Sequence, residues 1–107
     1  MVKETYIYGD TILVKLLGEL DLKVADDFRN QLETLLDNNP GKGMILDFYN
    51  VGFIDSSGLG VLLGRYKRLK TEGRNLSIIE VQPQVKRILE LSGLVNLIPV
   101  NDITYQG

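Results

Sequence analysis

The first twenty positions of the chain carry the apolar and β-branched residues typical of two short strands. Glu4–Tyr8 and Thr11–Leu17 are the two runs, and the pair Gly9–Asp10 separates them. Two such runs joined by a two-residue turn favour an antiparallel hairpin. The segment Gly18–Asp21 is expected to end the second strand and to lead into a helix.

The period of the apolar residues then changes from that of a strand to that of a helix. Between Val24 and Asn38 the apolar residues follow one another at steps of three or four, as in Val24, Phe28, Leu32 and Leu35. Residues at these steps lie on one stripe of a helix, so the spacing predicts a helix over Val24–Asn38.

The remainder of the chain alternates strand-like and helix-like segments. We expect strands over Met44–Phe48, Leu76–Val81 and Asn96–Val100. Helices are expected from the serines at 56–57 to about Thr71, and from Pro83 to near Ser92. The order implies parallel crossovers after the initial β-hairpin. The sequence therefore predicts an α/β fold, with a mixed, mostly parallel four- to five-stranded sheet and helices packed on it.

The second predicted helix carries a dense cluster of basic residues. Its buried face is expected to hold Leu59, Leu62, Leu63, Tyr66 and Leu69, and its exposed face Arg65, Lys67, Arg68 and Lys70. Segment 65–74 contains five positive charges and one negative charge. Two interpretations stay open: a solvated face whose late cations suit the helix dipole, or a docking surface for an acidic partner.

The composition excludes several classes of function. The 107 residues, with 44% hydrophobic and 24% charged, fit one globular domain over residues 1–107. The absence of cysteine rules out disulfides and thiolate metal sites, and the absence of histidine removes the commonest general base and nitrogen ligand. We therefore expect no enzyme, no metal and no cofactor.

Charge and hydropathy also limit the partners. A net charge of −2 gives no general attraction to nucleic acid or anionic lipid. No secretory h-region follows the N-terminus, and no apolar run approaches the roughly 20 residues needed to span a membrane. We expect a cytoplasmic protein that binds neither nucleic acid nor membrane and is a monomer when free.

The segment Phe53–Gly60, with the sequence FIDSSGLG, is the most informative part of the chain. An apolar strand end is followed by Asp55, Ser56 and Ser57, which are good N-cap residues, and then by Gly58. One interpretation is that Asp55 or a serine simply caps the helix. The other is that Ser56 is exposed at the helix start and is covalently modified there.

The second interpretation has a physical basis. Unpaired amides and the positive end of the helix dipole stabilise a phosphate at a helix N-terminus, and phosphorylation adds a charge of about −1.5 to −2. Asp21 also lies at a predicted strand-to-helix junction and is an expected neighbour of Ser56. A carboxylate about 6 Å from the phosphate is repelled by about 1–3 kcal/mol for each unit of phosphate charge. This repulsion corresponds to a loss of about ten- to a hundredfold in affinity.

Several segments of the chain together resemble the STAS family, most closely the sporulation-type anti-sigma factor antagonists. The matching segments are Gly18–Asp21, Asp47, Asp55–Gly60, Leu63–Lys67, Val85–Ile88 and Leu91–Leu94. The resemblance covers nearly the whole chain and implies a single STAS domain.

The resemblance implies a specific regulatory role. Ser56 corresponds to the phosphoacceptor, and the modifying partner is an anti-sigma factor that is also an ATP-dependent serine kinase. The unmodified antagonist would bind this kinase and free the sigma factor, and phosphorylation would release it. A PP2C-type phosphatase would reverse the modification. Asp21, Asp55, Ser57, Gly58 and Arg65 correspond to positions expected to contact the partner.

Two other classes of function remain as alternatives. An enzyme that uses Asp55 as a nucleophile would need a second aspartate at Ser57, and a serine hydrolase would need a histidine. A STAS scaffold or accessory module of a stress-signalling or transport complex would use the same fold without the kinase switch.

Overall fold

The computed structural model describes residues 1–104. The elements follow one another as β1 (Val2–Tyr8), β2 (Thr11–Leu20), α1 (Leu22–Asn38), β3 (Gly43–Ile54), α2 (Ser56–Thr71), β4 (Leu76–Val81), α3 (Pro83–Leu91), a short 3₁₀ helix (Leu94–Asn96) and β5 (Val100–Asp102). The five strands form one sheet in the order β1-β2-β3-β4-β5. β1 pairs antiparallel with β2, and the other neighbours pair in parallel. The predicted fold class and initial hairpin are confirmed.

One face of the sheet forms the core with the helices. Each parallel crossover moves by one strand in the same direction, so right-handed connections put α1, α2 and α3 on the same face. Alternate side chains of β2 and β3 are buried there, namely Ile12, Val14, Leu16, Met44, Leu46 and Phe48. Intervening residues such as Leu13 and Ile45 are half-buried on the opposite face.

The second strand is longer than the sequence pattern predicts. Gly18 has a φ of 117°, in a region that favours glycine, and the pairing register of β2 with β3 shifts between Gly18 and Leu20. The glycine therefore makes a bulge and does not end the strand. β2 continues to Leu20, whose side chain is fully buried and which pairs with Ile54.

The helix boundaries mostly follow the predicted signals. α1 begins two residues earlier than predicted because Asp21 caps it, with its Oδ1 accepting the Lys23 N–H at 3.0 Å. Pro83 lies in the first turn of α3, as predicted. Across residues 1–104, no helix combines the length and the apolar character needed to cross a membrane.

The last predicted strand is misplaced. Part of Asn96–Val100 lies instead in the 3₁₀ helix and the turn after it, and β5 begins only at Val100. Gly93, with a φ of 82°, separates the end of α3 from this 3₁₀ helix. Residues 105–107 lie outside the part of the chain that the structure describes.

Candidate functional site

The site is built around Asp55, the residue that caps α2. Its Oδ1 accepts the backbone N–H groups of Ser57 at 2.9 Å and Gly58 at 3.2 Å. Its main-chain carbonyl accepts the Leu59 N–H at 3.0 Å. Asp55 therefore satisfies amides that the first turn of a helix otherwise leaves unpaired. Of the two interpretations of this segment, the capping one is correct for Asp55.

Asp55 also joins the start of α2 to the start of α1. Its Oδ2 accepts the Leu22 N–H at 3.1 Å, and its own N–H donates to the Leu20 carbonyl at 3.2 Å. Since Leu22 is the first residue of α1, the two helix N-termini lie side by side. The strand-to-helix junctions at Asp21 and Ser56 are thus adjacent, as predicted.

Gly58 lets α2 approach the end of β2. A Cβ atom at this position would lie 2.5 Å from the Leu20 carbonyl oxygen and 2.6 Å from the Leu20 Cγ. No side chain fits without moving the backbone, because real Cβ atoms essentially never come within 3.0 Å of other atoms. Gly58 is buried and has a packing role. Its contact with a partner stays a prediction.

Ser56 is the first residue of α2 and is exposed. Within residues 1–104 no group forms a hydrogen bond with its hydroxyl. The expectation of unpaired amides beside this hydroxyl is wrong for Ser57 and Gly58, because Asp55 already accepts both of their N–H groups. The hydroxyl is thus accessible, and the amides next to it are committed to the cap.

Arg65 is not on the exposed face of α2, and that prediction is wrong. Only 8% of the residue is exposed, and its Nη2 lies 3.6 Å from Glu33 Oε1 on α1. Burial is the main cause that lowers the pKa of the guanidinium. The buried residues of α2, namely Gly58, Val61, Leu62, Arg65 and Leu69, are spaced at helical steps. The small Gly58 and the long aliphatic stem of arginine were the signals that could have located this face.

The other basic residues are also largely committed to structure. Arg68 forms ion pairs with Glu33 at 2.5 Å, Asp37 at 2.7 Å and Glu72 at 3.1 Å, and these raise its pKa. Arg74 is buried and donates to the Asn39 carbonyl at 2.9 Å, near the end of α1. The interpretation of segment 65–74 as a solvated face therefore fails for the buried Arg65 and Arg74. Lys67 and Lys70 are exposed, and Arg68 and Lys70 lie in the last turn of α2, where cations suit the helix dipole.

Several large apolar side chains at the ends of helices and strands, or in turns, are exposed. Leu22 is 75% exposed, Leu91 78% and Leu97 45%, and Phe53 is also exposed. The sequence pattern does not predict their exposure. Each lies at the end of an element or in a turn, where the helical and strand periods do not indicate which side chains are buried.

The Asp55 carboxylate is held in place by the backbone. The described hydrogen bonds of the Asp55 carboxylate all come from backbone amides, so it is held as a cap. In residues 1–104, no group of three or more acidic side chains could hold a metal ion. Beside this cap lie the exposed Ser56 and the half-buried Ser57.

Residues 3–105 match the STAS domain family, and the chain belongs to it. It is 38% identical over 91 residues to an anti-sigma F factor antagonist of Paenibacillus polymyxa, covering 85% of this chain and 78% of the relative. It is 31% identical over 101 residues to an anti-sigma-B factor antagonist of Staphylococcus epidermidis, covering 94% and 93%. The resemblance stated from the sequence is confirmed.

The fold is also similar to that of the anti-sigma factor antagonist SpoIIAA of Bacillus. Its unphosphorylated form superimposes with a TM-score of 0.77 at 26% identity, over 91% of this chain and 85% of SpoIIAA. Its phosphorylated form gives a TM-score of 0.69 at 24% identity, over 91% of this chain and 88% of SpoIIAA. This second match shows a similarity of fold alone.

Proposed function

We propose that the protein is an anti-sigma factor antagonist whose binding to an anti-sigma factor is switched off by phosphorylation of Ser56. The observation that carries the proposal is the exposed Ser56 hydroxyl, which has no hydrogen-bond partner within residues 1–104. A kinase can reach it, and its modification breaks no described contact. The relatives support the assignment, since they are antagonists of anti-sigma F and anti-sigma-B factors.

The proposed cycle has two chemical steps. The partner is an anti-sigma factor that is also an ATP-dependent serine kinase, and the unmodified antagonist binds it so that the sigma factor is released. Ser56 Oγ attacks the γ-phosphorus of ATP, the bond to the β-phosphate oxygen breaks and ADP leaves. A base on the kinase takes the hydroxyl proton. A PP2C-type phosphatase then hydrolyses the phosphoserine to serine and inorganic phosphate.

Phosphorylation acts on the surface and leaves the fold intact. The dianion would stand beside the Asp55 carboxylate, which already holds the nearest amides, so little local hydrogen bonding compensates the new charge. A carboxylate of the partner about 6 Å away would be repelled by about 1–3 kcal/mol per unit of charge. This corresponds to a loss of about ten- to a hundredfold in affinity.

The residues around Ser56 divide into two groups in this proposal. Asp21 and Ser57, both half-buried, contact the partner beside the phosphosite. Asp55 positions the helices through its cap, Gly58 through close packing, and Arg65 through its ion pair with the half-buried Glu33. Their effect on binding is then indirect.

Phosphopeptide mapping tests the proposal. The purified protein is incubated with ATP and each anti-sigma factor kinase of the source organism, beside the Ser56→Ala variant and a matched Ser57→Ala control. We expect phosphate on Ser56 in the wild type and in Ser57→Ala, and none in Ser56→Ala. Phosphate only on Ser57 would refute the site. Phosphate on neither serine would refute the site and favour a STAS module that works without a kinase switch.

A further inference from the structure

A groove runs beside Ser56 between two elements. One wall is formed by the first two turns of α2, with Ser56, Leu59 and Leu63. The other wall is the segment between α3 and β5, with Ser92 and Leu97. The volume of the groove is about 350 Å³. We call it the Ser56 groove.

The lining of the Ser56 groove suits an apolar group. None of the described residues that line it is charged, and four of them are leucines. The Ser92 hydroxyl is used internally, since it donates to the Leu89 carbonyl at 2.9 Å and accepts the Leu94 N–H at 3.3 Å. Among the described residues of the groove, the Ser56 hydroxyl is therefore the polar side-chain group for which no hydrogen bond is described.

Gly60 leaves the backbone of α2 uncovered by a side chain in the groove wall. It follows Ser56 by four residues, so both lie on the same face of α2, and it also lines the groove. A Cβ atom at Gly60 would meet no atom within 4 Å, so the packing of the fold does not require glycine here, in contrast to Gly58. Glycine in a helix interior is nonetheless unfavourable relative to alanine. Glycine at this position would allow a close approach to the α2 backbone from outside the chain.

We infer that the Ser56 groove receives an apolar side chain of the anti-sigma factor, which packs against the backbone of α2 at Gly60. The inference rests on the proposed function and names the contact through which Ser56 acts. Because Ser56 forms part of the groove wall, the docking surface and the phosphosite are continuous. Leu97 in the groove wall is exposed, and so is Leu22, whose N–H donates to Asp55.

The groove also explains why modification of Ser56 would be effective. A dianion on the Ser56 oxygen would stand at the rim of an uncharged groove. An apolar side chain that enters the groove would have to strip water from that dianion, which is strongly unfavourable. Desolvation would then weaken binding even where no carboxylate of the partner lies nearby.

A groove-filling variant tests the inference. Gly60→Leu puts a side chain into the groove from a position where a Cβ atom has open space. Asn30→Leu adds the same side chain to an exposed position of α1 as the matched control. Calorimetry measures the affinity of each unmodified variant for the anti-sigma factor that phosphorylates Ser56. We expect Gly60→Leu to bind about tenfold more weakly or worse, and Asn30→Leu to bind within about twofold of wild type.

Folding and a second variant complete the test. Gly60→Leu should unfold at the same temperature as wild type or a higher one, because a helical glycine is replaced. Leu97→Ser, at an exposed position of the other wall, should weaken binding by about threefold or more. If Gly60→Leu fails to fold, the affinity of Leu97→Ser decides the test, and binding as tight as that of wild type would overturn the inference.

The outcomes separate this inference from the proposed function. If wild type is phosphorylated on Ser56 and folded Gly60→Leu binds as tightly as wild type, the groove inference is overturned and the proposed function stands. If wild type binds none of the anti-sigma factors of the source organism, both are overturned. A wild-type dimer in sedimentation that Gly60→Leu abolishes would identify a second copy as the occupant and contradict the inference.

Discussion

The Asp55 carboxylate accepts the Leu22 N–H at 3.1 Å while it caps its own helix. Leu22 begins α1 and Asp55 precedes α2, so one side chain ties together two helices that are far apart in sequence. The oxygen that faces Leu22 is not the one that accepts the amides of α2. The position of Ser56, one residue later, is thus fixed by contacts to both helices.

This dual role predicts a large effect of removing the Asp55 carboxylate. Asp55→Ala should lower the free energy of unfolding by about 1.5–3 kcal/mol, because a helix cap and an interhelical bond are both lost. Asp55→Asn should cost about 1 kcal/mol, since its carbonyl keeps the cap and its NH₂ group cannot accept from Leu22. Urea unfolding measures both, with Asp27→Ala, at an exposed site on α1, as a control expected within about 0.5 kcal/mol of wild type. If Asp55→Ala had the same free energy of unfolding as the control, the role of Asp55 in joining the two helices would be contradicted.

The two glycines of the GLG segment should respond in opposite directions to alanine. Gly58→Ala forces a Cβ against the Leu20 carbonyl and should cost about 1–3 kcal/mol of stability. Gly60→Ala adds a methyl group in open space on the same helix and should stabilise the protein by about 0.5–1 kcal/mol. Thermal and urea unfolding of the two variants check this. Equal changes in stability for the two variants would show that the contact with Leu20 does not exclude a side chain at position 58.

The buried Arg65 should depend on its counter-charge. Glu33→Gln removes the counter-charge of Arg65 and also one of the three ion pairs of Arg68, and it should lower the free energy of unfolding by about 1–3 kcal/mol. A pair fully buried on both sides would lose more. Arg65→Met removes the charge and keeps the aliphatic stem, and it should stay within about 1 kcal/mol of wild type. Asp37→Asn, which breaks an exposed pair of Arg68, is the control and should cost about 0–1 kcal/mol. A neutral Glu33→Gln would contradict this account of the α1–α2 contact.

Glu72 should make stability depend on pH in the acid range. Hydrogen bonds from Arg74 and Arg68 lower the pKa of this carboxyl in the folded protein. A pKa below its unfolded value of about 4.3 means that the stabilisation is present above that pH and is lost as the pH falls through the folded pKa. The difference in stability between wild type and Glu72→Gln should therefore shrink as the pH falls from about 5 to 3. Urea unfolding across this range measures it, and a constant difference would exclude the effect.

The main features of the fold and the site could be predicted from the sequence. The change from strand to helix period located the elements, and the Asp-Ser-Ser-Gly segment located the start of α2, because capping residues act within one turn and leave a local pattern. The position of Ser56 at that helix start follows from the same local pattern.

Contacts between distant segments could not be predicted in this way. The bond from Leu22 to Asp55 and the pair of Arg65 with Glu33 depend on how α1 and α2 pack, which no local period encodes. The sequence pattern predicts the wrong face for Arg65, because the leucines at 59 and 63 match the helical period as well as the buried residues of α2 do. Gly18 was misread because a glycine that makes a bulge and a glycine that ends a strand look alike in sequence.

The most direct test of the central claim compares the affinities of two forms of the same protein for its anti-sigma factor. Calorimetry is carried out with the unmodified protein and with protein fully phosphorylated on Ser56, and the unfolding temperature of each form is recorded. We predict that the phosphorylated form binds about ten- to a hundredfold more weakly and unfolds at nearly the same temperature. Equal affinities of the two forms, or weaker binding that comes with loss of the fold, would contradict it.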